Sequence, residues 1–343
     1  MHLSIRQPIP GGSRLPHTTI FVLATKADPA LPECLDRIHR HTDPPYRLVV
    51  VTDCAGGTQV APLGGARAHS MQRGAHDSVW QTIQRAIESC PDEQVAFLSA
   101  DLLVMPHWLT RLSCRLQTLP TVAAIGPLTD GGMGEQQLTR HLDAFVCAHV
   151  TPEERVALLE DRYGGETLLT SWLSLACVLI PARTVRRIGA PDPGFMGIGR
   201  DLEYALRCRQ HGLWLAIARD VYIPSAHERH SEQPIPIVAS QDGLRLRQKL
   251  AATYGAEAVP PCDALWGDVR LAQLGLCCSI QGGGHPECPY AAPQHVEVAV
   301  GRCNRPLPGW NRTLKGRHPW AHRATNANNP GLRRRTTDLG FAD

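Results

Sequence analysis

Val95-Ala96-Phe97-Leu98-Ser99-Ala100-Asp101-Leu102-Leu103-Val104-Met105-Pro106-His107-Trp108-Leu109 is the stretch on which the fold turns. The apolar run Val95–Leu98 has the length and composition of a strand buried on both faces. Ser99-Ala100-Asp101 is a polar turn at its carboxyl end. Pro106 predicts a helix start, because its missing N–H belongs to a group that a first helical turn leaves unpaired anyway. Leu109, Leu112 and Leu116 continue at helical spacing. The unit is therefore strand, acidic turn, helix.

The same alternation extends in both directions. Upstream, Thr19–Ala24 reads as a buried strand, and Leu31, Cys34, Leu35 and Ile38 fall on one helical face. Leu48–Val51 is a second strand, ending at Thr52-Asp53-Cys54. Residues 55–76 are Gly-rich and irregular, and Val79, Ile83, Ala86, Ile87 and Cys90 form a helical stripe with Ser78 as its cap. Downstream, Thr121–Ile125 predicts a strand and Thr151-Pro152-Glu153-Glu154 a capping box. Trp172–Ile180 reads as a strand interrupted by Ser174, followed by a helix stopping at Gly189. Another helix runs from near Asp201 to Gly212, before the apolar run Leu213–Ala218. This order predicts an α/β fold with a mainly parallel central sheet.

Residues 1–16 are a Pro/Gly-rich N-terminal extension, residues 17–255 carry the α/β pattern, and residues 256–343 form a Cys/Pro/Gly-rich tail where periodicity fades. The chain of 343 residues is 43% hydrophobic, enough for a full α/β core. No apolar run approaches the roughly 18–20 residues that a membrane-spanning helix needs. With no apolar leader near Met1, a cytoplasmic address is expected. From Gly301 onward nine Lys/Arg against two Asp give +7, which leaves −4 for residues 1–300. A basic tail attracts nucleic acid or anionic surfaces when it folds around them, but its composition is that of a solvated, mobile end. The twelve cysteines include no CxxC pair and are expected to be reduced thiols. Cys34, Cys90, Cys114, Cys177 and Cys208 read as small core side chains. The tail cysteines, with His285 and His295, match no zinc spacing.

Ligands of open α/β sheets gather at the carboxyl ends of strands. Asp53 and Asp101 stand at such ends, and Asp201 follows a glycine-rich loop where a helix opens. Taken singly, each reads as a turn or cap residue. Together and in order they resemble something more specific. Thr52-Asp53-Cys54-Ala55-Gly56-Gly57 is similar to the Asp-bearing turn with which family 2 glycosyltransferases hold a nucleobase. Leu98-Ser99-Ala100-Asp101, with the Pro-x-Trp-Leu that follows, resembles that family's metal-site strand. Cys177–Arg183, Ile188–Phe195, Gly199-Arg200-Asp201-Leu202-Glu203 and Leu206-Arg207 resemble its acceptor segment, and Ala226-His227-Glu228-Arg229-His230 its late histidine. The likeness covers roughly residues 17–232.

The resemblance implies a GT-A type, nucleotide-diphosphosugar-binding fold and an inverting, divalent-metal-dependent transfer to an acceptor hydroxyl. It implies donor contacts from Asp53, Ser99 and Asp101, a Mn²⁺ or Mg²⁺ ion held by Asp101 and His227, and Asp201 as the base. Arg200 and Glu203 would face a glycan or other hydroxyl-bearing acceptor, Glu203 having pairing with Arg207 as its alternative. Two residues depart from the family pattern: Ser99 replaces an Asp or Asn, and Arg200 a Glu. A cation beside Asp201, and a helix start beneath it, are expected to lower its pKa. A non-catalytic glycan- or nucleotide-binding protein on the same fold stays open, as does an adaptor led by the basic tail.

Overall fold

The long apolar runs form strands whose residues alternate between two cores. In Thr18–Ala24, Ile20 and Val22 enter one core while Phe21 enters the other; in Gln94–Ser99, Ala96 and Leu98 are parted in the same way from Val95 and Phe97. Both faces of the sheet are therefore covered, which explains runs of apolar residues where a half-exposed strand would alternate with polar ones. A computed structural model of the chain describes residues 4–6, 16–24, 28–52, 68–71, 79–88, 93–131, 134–170, 172–226 and 241–254, all within the unit Met1–Asn304.

Among the described residues there is one nine-stranded sheet. In spatial order it comprises β1 (Ser4–Arg6), β7 (Glu166–Thr170), β9 (Trp214–Ile223), β6 (Val122–Thr129), β8 (Cys177–Ile180), β5 (Gln94–Ser99), β2 (Thr18–Ala24), β3 (Tyr46–Thr52) and β4 (Ala68–Met71). β2, β3, β4 and β5 pair in parallel, as do β6 and β9. β8 runs antiparallel to both β5 and β6, and β7 antiparallel to β9 and β1. Only β7 and β8 thus oppose the common direction, and the sheet is mainly parallel as expected.

Helices α1 (Leu31–His41) and α3 (Trp108–Thr118) pack on the face of Ile20 and Leu98. α2 (Val79–Glu88), α5 (Pro152–Tyr163), α7 (Gly197–Gln210) and α8 (Gln241–Tyr254) cover the other face. α4 (Ala144–His149) and α6 (Ala182–Ile188) complete the set. The capping box at Thr151 is present, its hydroxyl accepting from Glu154 N while the Glu154 carboxylate accepts from Thr151 N. Gly189 ends α6 with φ 85°, a conformation that suits glycine. Cys34, Cys114, Cys177 and Cys208 are buried and free, as is Cys147. Cys90 and the tail cysteines lie outside the described residues.

Several elements depart from the sequence reading. The lead-in supplies β1, which pairs with β7, and β7 itself was not anticipated. β4 lies inside the stretch read as irregular. α3 starts at Trp108 rather than Pro106, because His107 adopts a left-handed conformation (φ 61°). Its imidazole Nδ1 lies 2.9 Å from Asp43 Oδ2, and its N–H donates to His41 O. Only Cys177–Ile180 of the apolar run from Trp172 is strand, and 172–176 is loop. α7 begins at Gly197, so Asp201 lies a full turn inside it rather than at its mouth. α8 was missed altogether.

Candidate active site

The geometry is built around the carboxyl end of β5. Ser99 is its last residue, and its N–H donates to Ala176 O at 2.7 Å, because Leu98 lies opposite Cys177 and the loop before β8 meets the β5 exit. The Ser99 hydroxyl hydrogen-bonds Asp101 Oδ1. Ala100 N donates to Leu23 O, which ties the turn to the neighbouring strand end of β2. Asp101 is partly exposed there, a carboxylate just past the strand end.

The chain leaving β9 closes on the same turn. Ala226 N donates to Asp101 O at 2.7 Å, Leu103 N donates to Pro224 O at 2.9 Å, and Leu102 bridges Ser225. His227 follows Ala226 in sequence and, like Asp53 just past β3, lies outside the described residues. Asp130 at the end of β6 holds this segment: it accepts from Ser225 N (3.3 Å), Tyr222 OH (2.6 Å) and Arg155 (3.1 Å). The apolar run Thr121–Ile125 predicts only the first part of β6, and Asp130 follows its end as an acid after an apolar run, the same signal that marks Asp53 and Asp101.

Asp201 meets this end of the sheet through the 172–176 loop. The Ser174 hydroxyl and the Leu175 N–H stand near its carboxylate and favour its charged form. Ser174 is itself fixed: its N–H donates to Gln136 Oε1 at 2.6 Å, and its Oγ accepts from Ala176 N at 3.3 Å. Gln136 Nε2 donates to Pro127 O beside Gly126, where a Cβ would come within 2.7 Å of that nitrogen. The glycine is thus required by the close approach of Gln136. The turn carrying Gln136 is braced by His141, whose Nε2 donates to Glu135 O at 2.6 Å and whose Nδ1 accepts from Arg219 Nε. Ser174 and Gln136 escaped the sequence reading; the polar break at Ser174 in an apolar run was the only mark.

The electrostatics of Asp201 run opposite to expectation. Burial raises its carboxyl to about 7, and this outweighs the lowering by Arg200, Leu175 and Ser174. The residue keeps partial solvent exposure. Arg200 is lowered by burial to about 10 and stays charged at neutral pH. Its guanidinium carbon stands 4.1 Å above the Trp80 ring, and Nε donates to Phe195 O at 3.3 Å. Trp80 packs edge-on against Phe97 of β5.

Glu203 is not placed to touch an acceptor. Its side chain has 0% exposure, and its oxygens are taken by Arg207 (2.9 Å) and Lys249 of α8. The expectation that it contacts acceptor is corrected: it is an interior ion-pair anchor, since i and i+4 share a helix face and α8 covers that face. Lys249 also bonds Asp192 at 3.0 Å, and Asp242 Oδ2 accepts from Met196 N at 2.8 Å. α8 is thereby fastened to the loop that leads into α7.

For a metal, Asp101 offers a hard oxygen donor in a partly open position. Among the described residues no group of three or more His, Cys, Asp or Glu converges. This donor set fits a Mg²⁺- or Mn²⁺-type ion that keeps waters and substrate phosphates as ligands, and does not fit an all-protein zinc cage. Among the described residues no helix is long and apolar enough to cross a membrane.

The fold has solved counterparts. The structure of GalNAc-T7 with UDP, GalNAc and Mn²⁺ superposes with a TM-score of 0.50 at 14% identity, covering 78% of this chain. This chain spans 55% of that one. The mannosyltransferase PcManGT from Pyrobaculum calidifontis, in complex with GDP-Man and Mn²⁺, gives a TM-score of 0.48 at 15% identity, with 81% of this chain and 79% of the other covered. No curated protein sequence matches significantly. Residues 16–236, most of the chain and all of the strand-end constellation, match the family described as Glycosyltransferase like family 2, and the protein belongs to that family.

Proposed function

We propose that the protein moves a glycosyl group from a nucleotide-diphosphosugar to an acceptor hydroxyl with inversion, assisted by a divalent cation. The observation that carries the reading is the loop from Ser174 to Ala176. One end of it stands near the Asp201 carboxylate and the other bonds Ser99, two residues before Asp101. A carboxylate suited to a base and one suited to a cation, both beside one short loop, support this reading. The donor class is that of the UDP seen with GalNAc-T7, whose fold this chain shares.

Asp201 accepts the proton of the acceptor hydroxyl as that oxygen bonds to the anomeric carbon. The bond from that carbon to the diphosphate oxygen breaks, and its electron pair leaves with the nucleotide. Attack from the face opposite the leaving group inverts the anomeric centre. Asp101, with His227 as the expected second ligand, would hold the cation, which supplies Lewis-acid stabilisation of the leaving diphosphate. Asp53 and Ser99 complete the donor side. Ser174 and Leu175 favour the charged form of the Asp201 carboxylate, and its value near 7 makes it a base matched to neutral pH.

The test is nucleotide release from a panel of UDP- and GDP-sugars with Mn²⁺ or Mg²⁺, with and without sugar acceptors. Asp201→Asn is expected to keep donor binding and lose transfer by about 10² or more. Wild-type turnover in that variant removes Asp201 as the base. A donor that binds and is never turned over points to the non-catalytic alternative.

A further inference from the structure

Arg200 is the cation nearest in sequence to the candidate base, and its surroundings fix the guanidinium while leaving its fork unused. Trp80 stacks beneath it at 4.1 Å, and Nε is spent on Phe195 O. Among the described residues, neither terminal nitrogen of Arg200 has a hydrogen-bond or ion-pair partner. Asp201 and Asp242 act on it only through the longer-range field. Other arginines of this half are consumed: Arg207 bonds Ile188 O, Ala190 O and Glu203, and Arg183 bonds the carbonyls of Leu116, Leu119 and Val122. The terminal nitrogens are not among the buried polar atoms that lack a partner, so they reach solvent and are open to a ligand. A planar fork held on an aromatic ring suits bidentate recognition of a carboxylate or phosphate.

We infer that Arg200 selects an acceptor carrying an oxyanion, a carboxylate or a phosphate, close to the hydroxyl that receives the sugar. The inference rests on the transferase reading above and deepens it by naming the acceptor class. Two points assign the anion to the acceptor rather than the donor. The hydroxyl must reach Asp201, whose carboxylate and the Arg200 guanidinium act on each other's charge, so an acceptor in place lies in the field of the fork. The donor diphosphate has its counter-charge in the cation expected at Asp101. No bond is made or broken at Arg200; its contribution is charge and geometry.

The experiment uses the full chain, Mn²⁺ and whichever donor of the panel it turns over, with methyl glucoside, methyl glucuronide and glucose 6-phosphate as matched acceptors. The wild type is expected to favour at least one anionic acceptor over the glucoside by about ten-fold or more in kcat/KM, the scale of a charge-assisted hydrogen bond. Comparing the glucuronide with the phosphate separates the two sources of charge. In Arg200→Gln the preference collapses toward one, chiefly through acceptor KM. Arg200→Lys, which keeps the charge and loses the fork, retains part of it. Melting temperatures of both variants establish that they fold.

Equal use of neutral and anionic acceptors by the wild type, or an unchanged ratio in Arg200→Gln, overturns the inference while nucleotide release keeps the transferase reading standing. A defect confined to donor KM assigns the fork to the diphosphate and likewise overturns it. Absence of nucleotide release with every donor overturns both.

Discussion

At Asp201 the visible and the invisible effects pull in opposite directions. The neighbouring Arg200 can be read from the sequence, and by itself it lowers a carboxylate pKa. Burial cannot be read from the sequence, and it is the larger effect here, raising the group to about 7. Two measurements follow with opposite signs. Transfer needs the carboxylate form, so kcat/KM should rise with pH through about 7 with unit slope, and the acid limb should vanish in Asp201→Asn. Stability moves the other way. A carboxyl with a raised folded pKa holds its proton more tightly folded than unfolded, so its contribution is fully present below the unfolded value and is lost as pH climbs toward 7. Asp201→Asn should therefore gain melting temperature relative to wild type as pH goes from 5 to 8. A constant difference across that range would show that the carboxyl titrates normally and is not enclosed.

Among the elements, the 172–176 loop shows where sequence patterning stops being informative. Trp172, Leu173 and Leu175 are buried, as in a strand, so the composition reads as one. What prevents pairing is where the backbone donors go: Trp172 N bonds Thr170 Oγ1, Ser174 N bonds Gln136, and Ala176 N bonds Ser174 Oγ. The bond to Gln136 is long-range and leaves no local pattern. The strands around it were legible because burial on both faces demands continuous apolar runs. α8 was not, because Leu244-Arg245-Leu246-Arg247 alternates with period two and Gly243 interrupts the helix start; Leu246 is buried and Leu244 exposed. Ser174→Ala tests the loop. It removes the hydroxyl near the carboxylate and the acceptor of the Ala176 N–H and leaves Gln136 on the backbone, so a loss of about 1–2 kcal/mol of stability is expected. Transfer should fall with a still higher acid-limb pKa, since a hydroxyl favouring the carboxylate has gone. An unshifted limb with normal turnover would make Ser174 a bystander.

For the whole molecule, the question is where the functional unit ends. The family match stops at residue 236, whereas the observed packing continues through α8, whose Lys249 reaches the buried Glu203 and whose Asp242 fastens the Met196 amide. Gly199 shows how close that packing is: a Cβ there would lie 2.6 Å from Asp242. Removing α8 would take one of two cations from a carboxylate with no exposure, and uncompensated buried charge is among the more expensive defects, about 3–5 kcal/mol when a pair is fully broken. Arg207 remains, so a loss toward the lower end is expected. Because α8 also anchors the loop into α7, the damage should extend to Arg200 and Asp201. A chain ending at residue 258 is accordingly expected to melt close to the full-length protein and to keep its thermal shift with nucleotide sugars and Mn²⁺, the basic tail being dispensable for donor binding. A chain ending at residue 236 should melt well below it and lose acceptor-dependent turnover before donor binding, since Asp101 and Ser99 are held by β2 and the loop before β8 rather than by α8. Equal stability of the two truncations would show that α8 is an appendage. Loss of donor binding already in the 258-residue chain would place part of the donor site in the tail.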